Sequence, residues 1–373
     1  MSAAITGLFN LQWSQRRPQL RPLPAYIERT FVPTSGGDLE LLICRPVSPS
    51  TDTSAGHKLS TPPVFFAHGG FGSAGVWLEW MEYLHSSGYQ GTLYACSIRN
   101  HGASYSVPYF RMVWKTSLAD CAADLVSCMK HAQEDAGAAE LVLVGHSAGG
   151  GLAQYVLAKA QIRVRALCLV DAIPHYGSLE IYKNWLKHDP WFPLRSMLHL
   201  GHPNSPLTSV KLVWTAFFGS QYPVSRVPDF MKWMPGYESM GWPIGMLGEY
   251  SAWWQGQPRW LEPSEIVRNI AVSVRAIDTE PICILVGGED MLFRPAMYTR
   301  QVVDLSKALS FAGRSFNLRA KQQEGGQADI AGVETQQGDG VRLMIVQEAG
   351  HHVQNDVQSE AAVQSLRCWL EQL

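Results

Sequence analysis

Short apolar runs alternate with longer amphipathic ones along most of this chain. Ile27 to Pro33 and Leu39 to Arg45 read as strands around the turn Thr34-Ser35-Gly36-Gly37-Asp38, which predicts an antiparallel hairpin. Strand-length apolar runs follow at Val64–Ala67, Gly91–Ser97, Leu141–Val144, Arg165–Val170, Ile282–Val286 and Val341–Val346. Between them, Val76–His85, Ser117–Gln133, Gly149 to about Lys159, Pro295–Leu309 and Asp356–Leu370 carry the 3.6-residue spacing of helices that bury one face. Repeated strand–helix alternation predicts an α/β fold with a mostly parallel sheet covered on both faces.

Two stretches break the rhythm. Residues 177–269 hold eight of the chain's 13 tryptophans, at 185, 191, 214, 233, 242, 253, 254 and 260. An insertion after the strand ending at Val170 leaves from the carboxyl edge of the sheet, where open α/β folds bind ligands. It is expected to be a helical cap, so that 1–176 and 270–373 form the body and 177–269 the cap. The other stretch, Phe311 to Gly340, is rich in Gln, Gly and Ala and reads as a loop at the opposite edge. The Ser/Thr/Pro-rich segment Pro46 to Pro63 is expected to lie there too.

Composition narrows the function classes. With 46% apolar and 17% charged residues, the chain can bury a large core, and a formal charge of -2 without a dominant basic block argues against nucleic acid as partner. Seven scattered cysteines, none in a CxxC pair, argue against a disulfide framework or a zinc site, and no metal or cofactor is expected. No apolar run reaches the roughly 18 to 20 residues a membrane span needs. The acid-free first 27 residues carry Arg16, Arg17 and Arg21 and read as an arm packed on the body; the cytoplasm is the expected compartment.

Candidate chemistry concentrates at Gly145-His146-Ser147-Ala148-Gly149, directly after Leu141-Val142-Leu143-Val144. A strand ending in small-x-Ser-x-small and turning straight into a helix resembles the nucleophile elbow of α/β-hydrolases, in which the serine sits on a strained turn. A serine hydroxyl needs a base within about 3 Å and an acid to orient that base. The family order is Ser, acid, His. Val286-Gly287-Gly288-Glu289-Asp290 resembles the family's acid loop, with Asp290 in register and Asp171, ending the strand after the elbow, as second choice. Gly350-His351 followed by Asp356 resembles the base loop, which makes His351 the candidate base and His352 its neighbour.

The resemblance further implies an oxyanion hole made by the backbone N–H groups of Ala148 and of Gly70, the latter in His68-Gly69-Gly70-Phe71, with Phe71 a less favoured donor. His68 is expected to hold that loop. Phe71 and His146 are expected to contact substrate. Arg99-Asn100-His101-Gly102-Ala103-Ser104 matches a structural turn of the family, except that Asn100 replaces a glycine.

The activity this implies is hydrolysis of an ester, lactone or thioester of a hydrophobic small molecule, with secondary metabolism as a context suggested by the aromatic insertion. Cyclisation, condensation or carbon–carbon bond hydrolysis with the same triad, and ligand binding without catalysis, are the alternatives; a serine at the elbow counts against epoxide hydrolysis and dehalogenation. The sequence is silent on oligomeric state.

Overall fold

The computed structural model describes residues 11–14, 16–47, 61–248, 261–276, 279–314 and 330–373. β1 (Ile27–Thr34) and β2 (Gly37–Cys44) form the expected hairpin. β3 (Val64–Ala67), α1 (Leu78–Ser86), β4 (Leu93–Cys96), α2 (Tyr109–Lys115), α3 (Leu118–Asp135), β5 (Val142–His146), α4 (Ser147–Ala158) and β6 (Ala166–Val170) continue the alternation. Helix α3 starts where its capping box dictates: the Ser117 hydroxyl accepts from Asp120 N–H, and the Asp120 carboxylate accepts from Ser117 N–H in return.

Between β6 and β7 lie α5 (Leu179–His188), α6 (Phe192–Leu198), α7 (Val210–Phe217), α8 (Val227–Met231), α9 (Gly241–Gly245) and α10 (Pro263–Ser273). The chain closes with β7 (Ile282–Gly287), α11 (Pro295–Phe311), β8 (Val333–Gly338), β9 (Val341–Val346) and α12 (Ser359–Leu370).

The nine strands among the described residues form one sheet in the order β1-β2-β4-β3-β5-β6-β7-β9-β8. The six central strands run parallel, and β1, β2 and β8 are antiparallel additions at the edges. Successive side chains leave opposite faces of a strand. Phe65, Leu143, Leu167 and Ile284 therefore pack into one apolar layer, with α3, α4, α10 and α11. Phe66, Val144, Cys168 and Leu285 pack into the other, against Trp77, Trp80 and Trp369.

Three expectations need correction. The stretch 311–340, expected to be a loop, contains β8. Its alternation is muted because it is a polar edge strand: Val333 and Thr335 are half-buried while Glu334, Gln336 and Gln337 are exposed. Helix α2 was not foreseen. The expected insertion boundary at residue 269 falls inside α10, whose buried Ile266, Val267 and Ile270 join the core beside α4. There Asn269 Nδ2 donates to Ala158 O and Ser273 Oγ to Leu157 O, so this helix packs with the body.

The described part of the arm lies against both regions. Arg21 makes a bidentate pair with Glu79 on α1 and stacks 4.2 Å over the ring of Trp233 in the insertion. Most of 46–63 and the tryptophans 253, 254 and 260 lie outside the described residues. Among the described residues no helix is long and apolar enough to cross a membrane.

Candidate active site

The chain turns from β3 to β4 on one side and returns to β5 on the other, so the carboxyl ends of β3 and β5 flank a topological switch point, the usual ligand crevice of open α/β sheets. Ala67 pairs in register with Gly145, which sets the loop 68–71 beside the elbow. Ser147 has φ +50°, the strained left-handed region expected of it. The small residue at 149 is a matter of space: a Cβ there would sit 2.1 Å from the carbonyl oxygen of His68.

Ser147, His351 and Asp290 arrive from three distant parts of the chain and meet in one hydrogen-bonded line. Ser147 Oγ lies 2.8 Å from His351 Nε2, and His351 Nδ1 lies 2.7 Å from Asp290 Oδ2. A carboxylate only accepts, so Nδ1 carries the proton and Nε2 is left to accept from the serine hydroxyl. Asp290 is itself held: its Oδ1 accepts from Leu292 N–H at 2.6 Å and Phe293 N–H at 3.1 Å. Glu289 faces the insertion instead, accepting from the backbone N–H and hydroxyl of Ser220. Asp356 fixes the imidazole loop, its Oδ2 accepting from Gly350 N–H at 2.8 Å and Gly219 N–H at 2.7 Å.

Asp171, the second acid candidate, is completely buried beside this line. Its Oδ1 accepts from Gly287 N–H at 2.9 Å, and Oδ2 has no hydrogen-bond partner among the described residues. Burial, and next the charge of Asp290, push its carboxyl well above the usual carboxylate range. The shift favours the neutral form of Asp171, which cannot supply the negative charge an imidazolium needs, whereas Asp290 is bonded to the ring at 2.7 Å. Ligand atoms of Asp171, Asp290 and His351 lie within 4.8 Å of one another, the one grouping among the described residues able to hold a metal ion.

The two candidate oxyanion donors differ from their neighbours in being unspent. Ala148 lies in the first turn of α4, where N–H groups have no intrahelical acceptor. Gly70 N–H finds no acceptor among the described residues, while Phe71 N–H donates to Glu238 Oε2 at 2.7 Å and is thereby occupied. His68 has both nitrogens engaged, Nδ1 with Gly69 O and Nε2 with Ile98 N–H, and burial followed by the nearby His101 pushes it down to about 3. It holds the loop as a neutral ring.

His146 has no exposed surface; its Nε2 donates to the carbonyl oxygen of His351 at 2.9 Å. It stands in the cavity wall and steadies the imidazole loop. His352, also buried, packs on Phe217 and is pushed down to about 3 by burial and then by His351.

Ser147 opens into a cavity of about 170 Å³. Its walls are largely apolar: Phe71, Ile173, Ile181, Trp185, Phe217 and Leu292 line it, among others. Of the five described tryptophans of the insertion, Trp185 alone lines it. Trp242 is packed against His68 and His101, Trp214 donates to Tyr222 O, Trp233 lies under Arg21, and Trp191 is exposed. Sequence reasoning missed Glu238 and Tyr182, both in the wall. Glu238 did leave a signal, as the one charged residue between Lys232 and Glu249.

The family described as "alpha/beta hydrolase fold" matches residues 62–308, well over half of the chain. The chain belongs to the α/β-hydrolase family. Solved structures agree on the fold. A thermophilic esterase from Thermogutta terrifontis is 16% identical, with a TM-score of 0.53 over 92% of this chain and 98% of its own. The carboxylesterase CesB from Bacillus subtilis is 16% identical at TM-score 0.53 over 99% and 96%. A 2-hydroxy-6-oxo-6-phenylhexa-2,4-dienoate hydrolase from Rhodococcus is 12% identical at TM-score 0.53 over 92% and 98%. No curated protein matches the sequence.

Asn100 stands where the resemblance led us to expect a glycine, and the geometry shows how it is accommodated. Asn100 has φ +67°, a conformation that asparagine tolerates better than most residues. Its Nδ2 donates to Tyr237 O at 2.7 Å, so the substitution ties the turn to the insertion next to Glu238.

Proposed function

We propose that this α/β-hydrolase is a serine hydrolase that cleaves an ester, lactone or thioester of a compact, mainly apolar substrate through an acyl-enzyme. The observation that carries this reading is the continuous line from Asp290 through His351 to Ser147, ending in an apolar cavity beside two unspent N–H groups. His351 Nε2 takes the hydroxyl proton as Ser147 Oγ bonds to the carbonyl carbon. Gly70 and Ala148 N–H receive the oxyanion, and Asp290 stabilises the imidazolium. His351 then gives its proton to the leaving oxygen or sulfur as that bond breaks. Water, deprotonated by the same imidazole, releases the acid and restores the hydroxyl.

The cavity is smaller than the roughly 300–1,000 Å³ of typical drug-sized sites. This favours a short acyl chain over a bulky secondary metabolite, the context that the tryptophan-rich insertion suggested. The segment between β6 and β7 is read as a cap, because Ile181, Trp185, Phe217 and Glu238 from it face Ser147 across the cavity. A fluorophosphonate probe should label the wild type and not Ser147→Ala, and p-nitrophenyl butyrate should yield free butyrate. A folded wild type that the probe leaves unlabelled would reduce the chain to a binding protein.

A further inference from the structure

Among the described residues, Glu238, 5% exposed, is the one carboxylate of the cavity wall apart from the acid behind His351, and no lysine or arginine lines that wall. Its two oxygens are used differently. Oε2 accepts from Phe71 N–H at 2.7 Å and lies 3.4 Å from His101 Nε2. Oε1 accepts no hydrogen bond from any described residue and lies beside Gly70, 3.1 Å from where a Cβ on that glycine would sit. The clamp on Phe71, held at φ +59°, accounts for Oε2 alone. Burying a carboxylate with half of its accepting capacity unspent is costly unless something arrives to use it.

A second polar atom in the same wall is also unspent. The Tyr182 hydroxyl has no hydrogen-bond partner among the described residues, and burial, followed by the charge of Glu238, keeps its phenol protonated. The largely apolar cavity thus offers an acceptor at Glu238 and a donor at Tyr182, with the Ser196 hydroxyl a further polar group in its wall. A hydroxyl group satisfies both, donating to one and accepting from the other. An ammonium could not accept from the phenol, and a carboxylate would meet Glu238 with no cation to offset it.

We propose that Glu238 and Tyr182 form a recognition site for a hydroxyl group on the substrate's acyl chain, close to the carbonyl that Ser147 attacks. The proposal rests on the serine-hydrolase reading. Because Glu238 Oε1 borders Gly70, the hydroxyl falls roughly two or three bonds from the carbonyl carbon, given ordinary hydrogen-bond lengths. The substrate class is a short 3-hydroxyacyl ester or thioester.

The test compares kcat/KM for p-nitrophenyl 3-hydroxybutyrate and p-nitrophenyl butyrate in wild type, Glu238→Gln and Tyr182→Phe. Glutamine keeps an oxygen for Phe71 N–H and turns an NH₂ toward the cavity, so the clamp survives and the acceptor is lost. A hydrogen bond to a charged group predicts a wild-type preference of roughly 10- to 100-fold for the hydroxy ester. Glu238→Gln should bring the ratio near one and Tyr182→Phe should lower it several-fold. The proposal is overturned if a wild type labelled by the fluorophosphonate shows no such preference. It is equally overturned if Glu238→Gln slows both esters together and keeps the ratio, which is the signature of a clamp alone. Should Glu238→Gln not fold, the ratio in Tyr182→Phe decides. Failure of wild-type labelling is a separate result, and it removes the serine-hydrolase reading first.

Discussion

Replacing Asp290 with asparagine tests the candidate relay at its least exposed link. The side chain cannot simply rotate to hide the change. Leu292 N–H and Phe293 N–H both point at Oδ1, so the asparagine oxygen is held there and its NH₂ is turned toward His351 Nδ1. Two donors cannot face each other. The imidazole must then carry its proton on Nε2, where it no longer accepts from the Ser147 hydroxyl. In serine hydrolases the wrong tautomer costs about four powers of ten in kcat, which is about 5 kcal/mol of barrier. Asp171→Asn should cost less than about tenfold, since asparagine is a near-isostere of the neutral acid and its oxygen still accepts from Gly287 N–H. The assay is kcat on p-nitrophenyl butyrate, with urea denaturation to show that both variants are folded. A larger loss in Asp171→Asn than in Asp290→Asn would refute the assignment of the acid.

Two further outcomes follow from the surroundings of the site. Buried His68 and His352 are held down at about 3, whereas an unfolded histidine titrates near 6.5, so the unfolded chain binds protons first as pH falls. Their contribution to stability is complete above about pH 6.5 and is lost toward pH 3, by up to about 1.4 kcal/mol per pH unit for each ring. His352→Asn should flatten the fall in urea-derived stability between pH 6 and 4 by about that slope, and an unchanged slope would contradict the neutral buried state. Asp356→Ala strips the acceptor from Gly219, Gly350 and Val357 N–H. At about 1–3 kcal/mol for each buried donor left unpaired, it should cost at least about 2 kcal/mol in urea denaturation and lower kcat by about tenfold. A loss below about 0.5 kcal/mol would show that the imidazole loop does not depend on this carboxylate.

What the sequence determined by itself is the sheet and the chain positions of the candidate reacting groups. Buried parallel strands must be continuous apolar runs, and a serine at φ +50° needs small neighbours, so Val64–Ala67, Val341–Val346 and the elbow were legible from local pattern. Edge strand β8 was not, because solvent on one side removes the need for an apolar face. Neither was the boundary inside α10, since an amphipathic helix looks the same whether it buries its face on a cap or on a body. Tertiary structure alone decided how polar atoms are spent. That Phe71 N–H is occupied while Gly70 N–H has no acceptor among the described residues, that burial beside Asp290 pushes the Asp171 carboxyl up, and that one oxygen of Glu238 is left over among them depends on distances across more than a hundred residues of chain. A hydrogen bond is satisfied by position in space, and residue order does not encode it locally.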